Sequence, residues 1–223
     1  MSCRLLATIV LGALLGAGAR GQTAGLVGRM DGEIYVSPTG EFRFPSPVLP
    51  ELGGTVSDTG NVVTFSDNFN VHVSIACFPQ DATQKWELET RARRDYLLYF
   101  FTTFVLADFQ ARFPGARIES ARYLPGLLDG ALIAYALLPG GSAFEAKNRI
   151  LGTPDQDPVT AKRGNLLFVR QGHVYVVSTE LAERATERST YALTREKEDA
   201  ILSDRLTSLA GRFVFTTPKA RIP

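Results

Sequence analysis

Leu166-Leu167-Phe168-Val169-Arg170-Gln171-Gly172-His173-Val174-Tyr175-Val176-Val177-Ser178 is the stretch that decides the fold. Leu166 to Arg170 and His173 to Ser178 are runs of aliphatic, β-branched and aromatic residues, and the Gln171-Gly172 step between them reads as a hairpin turn. Working back toward the start, Ala116 to Tyr123 and Gly130 to Leu138 are two more strand-like runs after Pro114-Gly115. Asn70 to Phe78 alternates, with Val71, Val73, Ile75 and Cys77 on one face and His72, Ser74, Ala76 and Phe78 on the other. Asn61 to Phe65 is the strand before it, and Asp67-Asn68 supplies the turn between them. Earlier still, Glu33 to Val36 and Glu41 to Phe44 flank the turn Ser37-Pro38-Thr39-Gly40, and Pro45, Pro47 and Pro50 end that hairpin.

Two helices complete the pattern. Thr83 to Phe113 contains no proline or glycine, which predicts one long helix. At 3.6 residues per turn Leu97, Leu98, Phe101, Phe104, Val105 and Phe109 share its apolar stripe. Tyr96, Tyr99 and Leu106 fall on the other side, which makes them the candidate partner surface. Asp95 and Asp108 bracket only 12 residues, too few to span a bilayer. The second helix covers Arg195 to Arg212, with Thr194 as N-cap, acidic Glu196 and Glu198 in its first turn, and a stripe of Ile201, Leu202, Leu206, Leu209 and Phe213. Hairpins dominate and no βαβ alternation appears. The expected class is therefore α+β, a mainly antiparallel sheet packed by a long central helix and a C-terminal helix.

The opening segment Tyr35-Val36-Ser37-Pro38-Thr39-Gly40-Glu41-Phe42-Arg43-Phe44-Pro45 resembles the PsbP/Mog1-like family of α/β sandwich proteins. The order of elements over residues 33–216 is similar too, as is the Gly172-His173-Val174-Tyr175-Val176-Val177 strand ahead of a closing helix. The resemblance implies a binding or assembly module and carries over no catalytic residue. The polar connection at 139–161, with Gly140-Gly141, Pro154, Asp155, Asp157 and Pro158, departs from a minimal version of that pattern.

The N-terminus sets the expected compartment. Arg4, the uncharged apolar run Leu5 to Leu15 and Ala17-Gly18-Ala19 read as a cleaved signal peptide over residues 1–19. Residues 20–32 read as a flexible lead and 33–217 as one α+β domain of an exported, periplasmic or extracellular protein. With the signal removed no stable membrane span is expected. Of 24 basic and 23 acidic residues the leader holds only Arg4, so the mature chain is neutral. A neutral chain has no long-range field to gather nucleic acid. Cys3 leaves with the leader, so Cys77 is the one thiol expected in the mature domain and no internal disulfide can form.

Chemistry-bearing motifs are sparse. His72 and His173 lack ligand spacing, so no metal and no cofactor is expected. The strand phase of Cys77 predicts an inert core thiol. No Gly-x-Ser-x-Gly elbow or phosphate-binding glycine loop occurs, and Asp155 and Asp157 lack the further ligands of a calcium loop. Arg91, Arg93 and Arg94 alternate with Glu87, Glu89 and Asp95, as on a solvated helix face. No catalytic residue is assigned. The functional expectation is a non-enzymatic binding or assembly module acting on a protein partner. The alternative is a small-molecule binder or enzyme whose site is assembled from residues distant in sequence, marked by a pocket holding His72 or His173 beside a carboxylate.

Overall fold

The computed structural model describes residues 25–145 and 158–216. Residues 1–24, which include the stretch read as a signal peptide, residues 146–157 with Asp155 and Asp157, and the last seven residues lie outside them. The hairpin that opened the sequence reading forms the middle of the fold: β9 (Thr160–Arg170) and β10 (His173–Glu180) pair antiparallel around Gln171 and Gly172. Both turn residues have positive φ, +50° and +74°, the backbone that matches the right-handed twist of the flanking strands. Around this hairpin an antiparallel sheet assembles in the order β4-β5-β6-β10-β9-β8-β7. Its other members are β4 (Thr55–Asp58), β5 (Val62–Ser66), β6 (His72–Pro79), β7 (Arg117–Leu124) and β8 (Ala131–Pro139). A second sheet of order β1-β2-β3-β11 joins β1 (Arg29–Asp31), β2 (Ile34–Val36), β3 (Phe42–Pro45) and β11 (Val214–Phe215). The α+β class and its antiparallel sheet are as expected.

Five strand readings change, one of them β11, which is added after the closing helix. β1 lies inside the stretch read as lead, and β4 is added at the sheet edge, where only Val56 is apolar. β9 starts at Thr160, inside the stretch read as connection, and its early residues Lys162, Arg163 and Asn165 hide its strand character although all are buried. β7 carries an irregularity at Glu119, where the register with β8 shifts between Ile118 and Ser120.

The long helix divides. α1 (Ala82–Thr90) is capped by Asp81, which accepts from the Gln84 amide, and buries no residue. Thr90 donates back to the Trp86 carbonyl at 2.8 Å, and Arg91 and Ala92 turn extended. The chain re-enters helix as α2 (Arg93–Phe100), a π turn (Phe101–Val105) and α3 (Leu106–Arg112). The wider i→i+5 turn rotates the later residues relative to an ideal α-helix. The buried stripe becomes Tyr96, Leu97, Phe100, Phe101, Val105 and Phe109, while Leu98 is only partly buried. It packs on the sheet face formed by Leu132, Ala134, Ala136, Leu167 and Val176. Tyr96 is therefore corrected from surface to core: it is fully buried, and Gln80 donates to its hydroxyl at 3.1 Å.

The opposite sheet face is covered by two elements. One is the C-terminal helix α5 (Arg195–Ala210), which follows a single-turn α4 (Glu183–Thr186). Leu202 and Leu206 of α5 lie over Gly164, where an added Cβ would stand 2.9 Å from Leu206 Cδ1, so only a glycine lets the helix come this close. The other is the small sheet, whose Tyr35, Phe42 and Phe44 meet Phe65, Phe168 and Tyr175 in an aromatic core. Phe168 and Tyr175 stack at 4.9 Å across the central hairpin.

Candidate functional site

The site follows from how the small sheet lands on the large one. Ser37 and Gly40 close the β2–β3 turn, with the Gly40 amide donating to the Ser37 carbonyl at 3.0 Å and Gly40 at φ +81°. Phe42, first residue of β3, meets the Tyr175 ring edge-on at 6.0 Å. That contact fixes β3 over β10 and carries Glu41 toward His173, the first residue of β10. A cavity of about 270 Å³ opens there. Tyr35 and Phe42 form its walls, and Val63, Ile75 and Cys77 its apolar floor. Ser37, Thr39, Glu41 and His173 give it a polar rim.

The rim is ordered by hydrogen bonds. Ser37 Oγ donates to Glu41 Oε2 at 3.0 Å, and the Thr39 hydroxyl donates to Oε1. Partial burial of Glu41 pulls its pKa up. Hydrogen bonds from Thr39, from its own backbone amide and from Ser37, with His173 nearby, outweigh that and hold it below the usual carboxylate value. His173 Nε2 stands 3.8 Å from Glu41 Oε1, and its Nδ1 is 2.9 Å from the Gln171 carbonyl. A carbonyl only accepts, so Nδ1 carries a proton and donates it.

On the floor, burial pushes the Cys77 thiol up to about 12. Tyr175 is fully buried beside that thiol, and its hydroxyl finds no oxygen or nitrogen partner. Desolvation and the neighbouring Cys77 and Glu41 raise its pKa well above the ordinary phenol value. Tyr35 is raised likewise by burial and by donating to Asp58 at 2.7 Å. These groups stay protonated at neutral pH, so the floor offers neither a thiolate nor a phenolate.

The two histidines do not converge. His72 pairs with Ser66 at one end of β6, and His173 faces Pro79 at the other, roughly 23 Å of strand away. No group of three histidine, cysteine or carboxylate side chains suited to a metal ion occurs among the described residues. Tyr99 and Leu106 are half-buried, and the Arg91 guanidinium lies 4.8 Å over the Tyr99 ring. The basic cluster disperses. Arg91, just past α1, pairs with Glu87, and Arg93 reaches the Val169 carbonyl at 3.5 Å. Glu41, Ser37 and Thr39 are the site residues that sequence reading passed over, although they lie inside the segment that carried the family resemblance. Their only mark is the Ser-x-Thr-x-Glu spacing, which places three oxygens on one side of a tight turn.

A second charged centre lies across the sheet from α2. Lys162 is fully buried, with its Nζ 2.5 Å from Glu119, 3.0 Å from Glu198 and 2.5 Å from Asp199. The irregularity in β7 lets Glu119 reach it. Arg184 holds Glu198 from the other side at 2.6 and 2.9 Å, and Tyr191 donates to the same carboxylate. Every charge in it is paired within the chain, which makes it a structural centre joining β7, β9, α4 and α5.

No family model matches the sequence, and no curated protein matches it. Among solved structures the chain is similar to the solution structure of cyanobacterial PsbP (CyanoP) from Synechocystis sp. PCC 6803. The identity is 12%, the match covers 89% of this chain and 98% of that one, and the TM-score is 0.46. No helix among the described residues is long and apolar enough to cross a membrane. The likeness is a weak resemblance of fold.

Proposed function

We propose that this protein is an exported, non-enzymatic binding module that holds a small molecule in the cavity between the β2–β3 turn and β10. The observation that carries the reading is the cavity's construction: aromatic walls and an aliphatic floor under a rim with one ordered carboxylate and one imidazole. Pockets for small ligands combine mostly apolar lining with a few placed polar groups in this way. Here His173 does stand beside a carboxylate in a pocket, which favours a small-molecule ligand over a protein partner. Binding rather than turnover is supported by the protonated, buried Cys77, which is no nucleophile. A partner surface on the long helix is narrower than the sequence suggested, since Tyr96 has left it. Export rests on the Arg4 and Leu5–Leu15 pattern.

The test is a screen of small-molecule mixtures by amide chemical shifts, alongside Val63→Phe, which fills the floor. Ligands are expected to shift the Glu41, Cys77 and His173 amides in the wild type and to leave them unmoved in the filled variant. Identical shifts in both proteins, or none in either, would sink the reading.

A further inference from the structure

We propose that the ligand of this cavity is an alkylammonium, with its N–H groups donated to Glu41 and His173 and its alkyl chain lying on Val63, Ile75 and Cys77. This rests on the cavity being a binding site and names the class of molecule it takes. The His173 imidazole lines the cavity rim. Its Nδ1 proton is committed to the Gln171 carbonyl at 2.9 Å, so in the neutral ring Nε2 presents a lone pair. That lone pair faces Glu41 Oε1 at 3.8 Å. Two acceptors at that separation do not bond to each other, and both are served by one donor placed between them. A cationic N–H donor suits the position best, because charge-assisted hydrogen bonds to a carboxylate are about twice as strong as neutral ones.

The surroundings agree with a cation. The Ser37 and Thr39 hydroxyls and Glu41's own amide donate to the carboxylate and hold it in place at the cavity rim. The aromatic side chains of Tyr35 and Phe42 line the cavity beside the carboxylate, and aromatic rings attract ammonium groups. Cys77 and Tyr175 beneath stay neutral and add no competing charge. A carboxylate ligand would instead meet Glu41 with like charge. A neutral alcohol would fill the floor but bring only one proton and no charge to a two-acceptor rim.

The experiment compares n-butylammonium chloride, 1-butanol and sodium butyrate, titrated separately into the full chain and followed by amide shifts and calorimetry. Butylammonium is expected to bind at least tenfold more tightly than 1-butanol, with butyrate weakest. Glu41→Gln is expected to remove that preference while keeping the amide spectrum of a folded protein, and His173→Ala to reduce it severalfold. Equal binding of butylammonium and 1-butanol would overturn the ammonium assignment and leave the cavity standing as an apolar site. Absence of binding by all three would overturn both readings. Nα-acetyl-lysine N-methylamide, added as a fourth probe, separates the two sources of such a group. Binding equal to butylammonium points to a peptide lysine, and exclusion of the amide points to a free amine.

Discussion

Replacing Lys162 by methionine removes the central cation of the buried charged centre while keeping most of its volume. Glu198 retains Arg184 at 2.6 and 2.9 Å, so it stays compensated. Among the described residues Asp199 keeps a 3.3 Å hydrogen bond from Ser120, and Glu119 keeps Arg195 at 3.7 Å. Taking one partner from a buried ion pair costs about 3–5 kcal/mol, because the other charge remains desolvated. The side chains of Glu119 and Asp199 are 16% and 24% exposed, which lets water reach them and puts the loss near about 3 kcal/mol. With a urea slope of about 2 kcal/mol/M, the midpoint should fall by about 1.5 M. Adding Glu119→Gln and Asp199→Asn to Lys162→Met should return part of that loss, since neutral amides tolerate the site better. The pH dependence gives a second check. Burial pulls the Glu198 pKa up, but hydrogen bonds from Arg184, Tyr191 and Lys162 hold it below 4.5. Its stabilisation is therefore present above about pH 4.5 and lost as acid protonates it. Removing Lys162 takes away one of the groups that hold the Glu198 pKa down, so the gap to the wild type should narrow as the pH falls below about 4.5. A midpoint lowered by less than about 0.3 M at pH 7 would refute the view that this centre is a desolvated, mutually dependent network.

Three further outcomes are expected. Cys77, with its pKa raised from 9.0 to about 12, should react with a disulfide reagent at pH 8 about a thousandfold more slowly than an ordinary thiol. Labelling of the native protein at the rate of free cysteine would contradict its burial. Gly164→Val should force Leu202 and Leu206 outward and cost about 1–3 kcal/mol, lowering Tm by several degrees, and an unchanged Tm would refute the close helix approach. Gln171→Asn relieves a positive φ of 50° at the turn and should raise stability by about 0.5 kcal/mol in urea. A loss of stability there would mean that the Gln171 side chain makes contacts the turn depends on.

The parts of the fold written in short-range chemistry were legible. The β9–β10 hairpin shows in its turn residues, β6 in its alternation, and α5 in its Thr194 cap, which accepts from the Lys197 amide at 3.5 Å. β4 was not, because an edge strand reading Thr-Val-Ser-Asp needs little apolar area and leaves little trace. The break at Arg91 carries no proline or glycine, and the π turn shifts a helical face without changing composition. Those two features together put Tyr96 on the wrong side of a simple projection. The site was hidden for a different reason. Glu41 and His173 come from separate sheets and meet only because Phe42 settles on Tyr175, a contact that no spacing along the chain encodes.

The order β4-β5-β6-β10-β9-β8-β7 makes the large sheet two meanders, β4 to β6 and β7 to β10, stitched along a single line where β6 meets β10. Every other ladder in it joins neighbours in the chain, whereas this one pairs Ala76 with Val176 across a hundred residues. Closing so long a loop is entropically costly, which makes this seam the joint expected to form last on refolding. The cavity straddles it, with Ile75 and Cys77 on one side and His173 on the other. An occupant gripping both sides acts as a rivet across the seam, so native-state amide exchange at Ala76, Cys77, Tyr175 and Val176 should slow when the cavity fills.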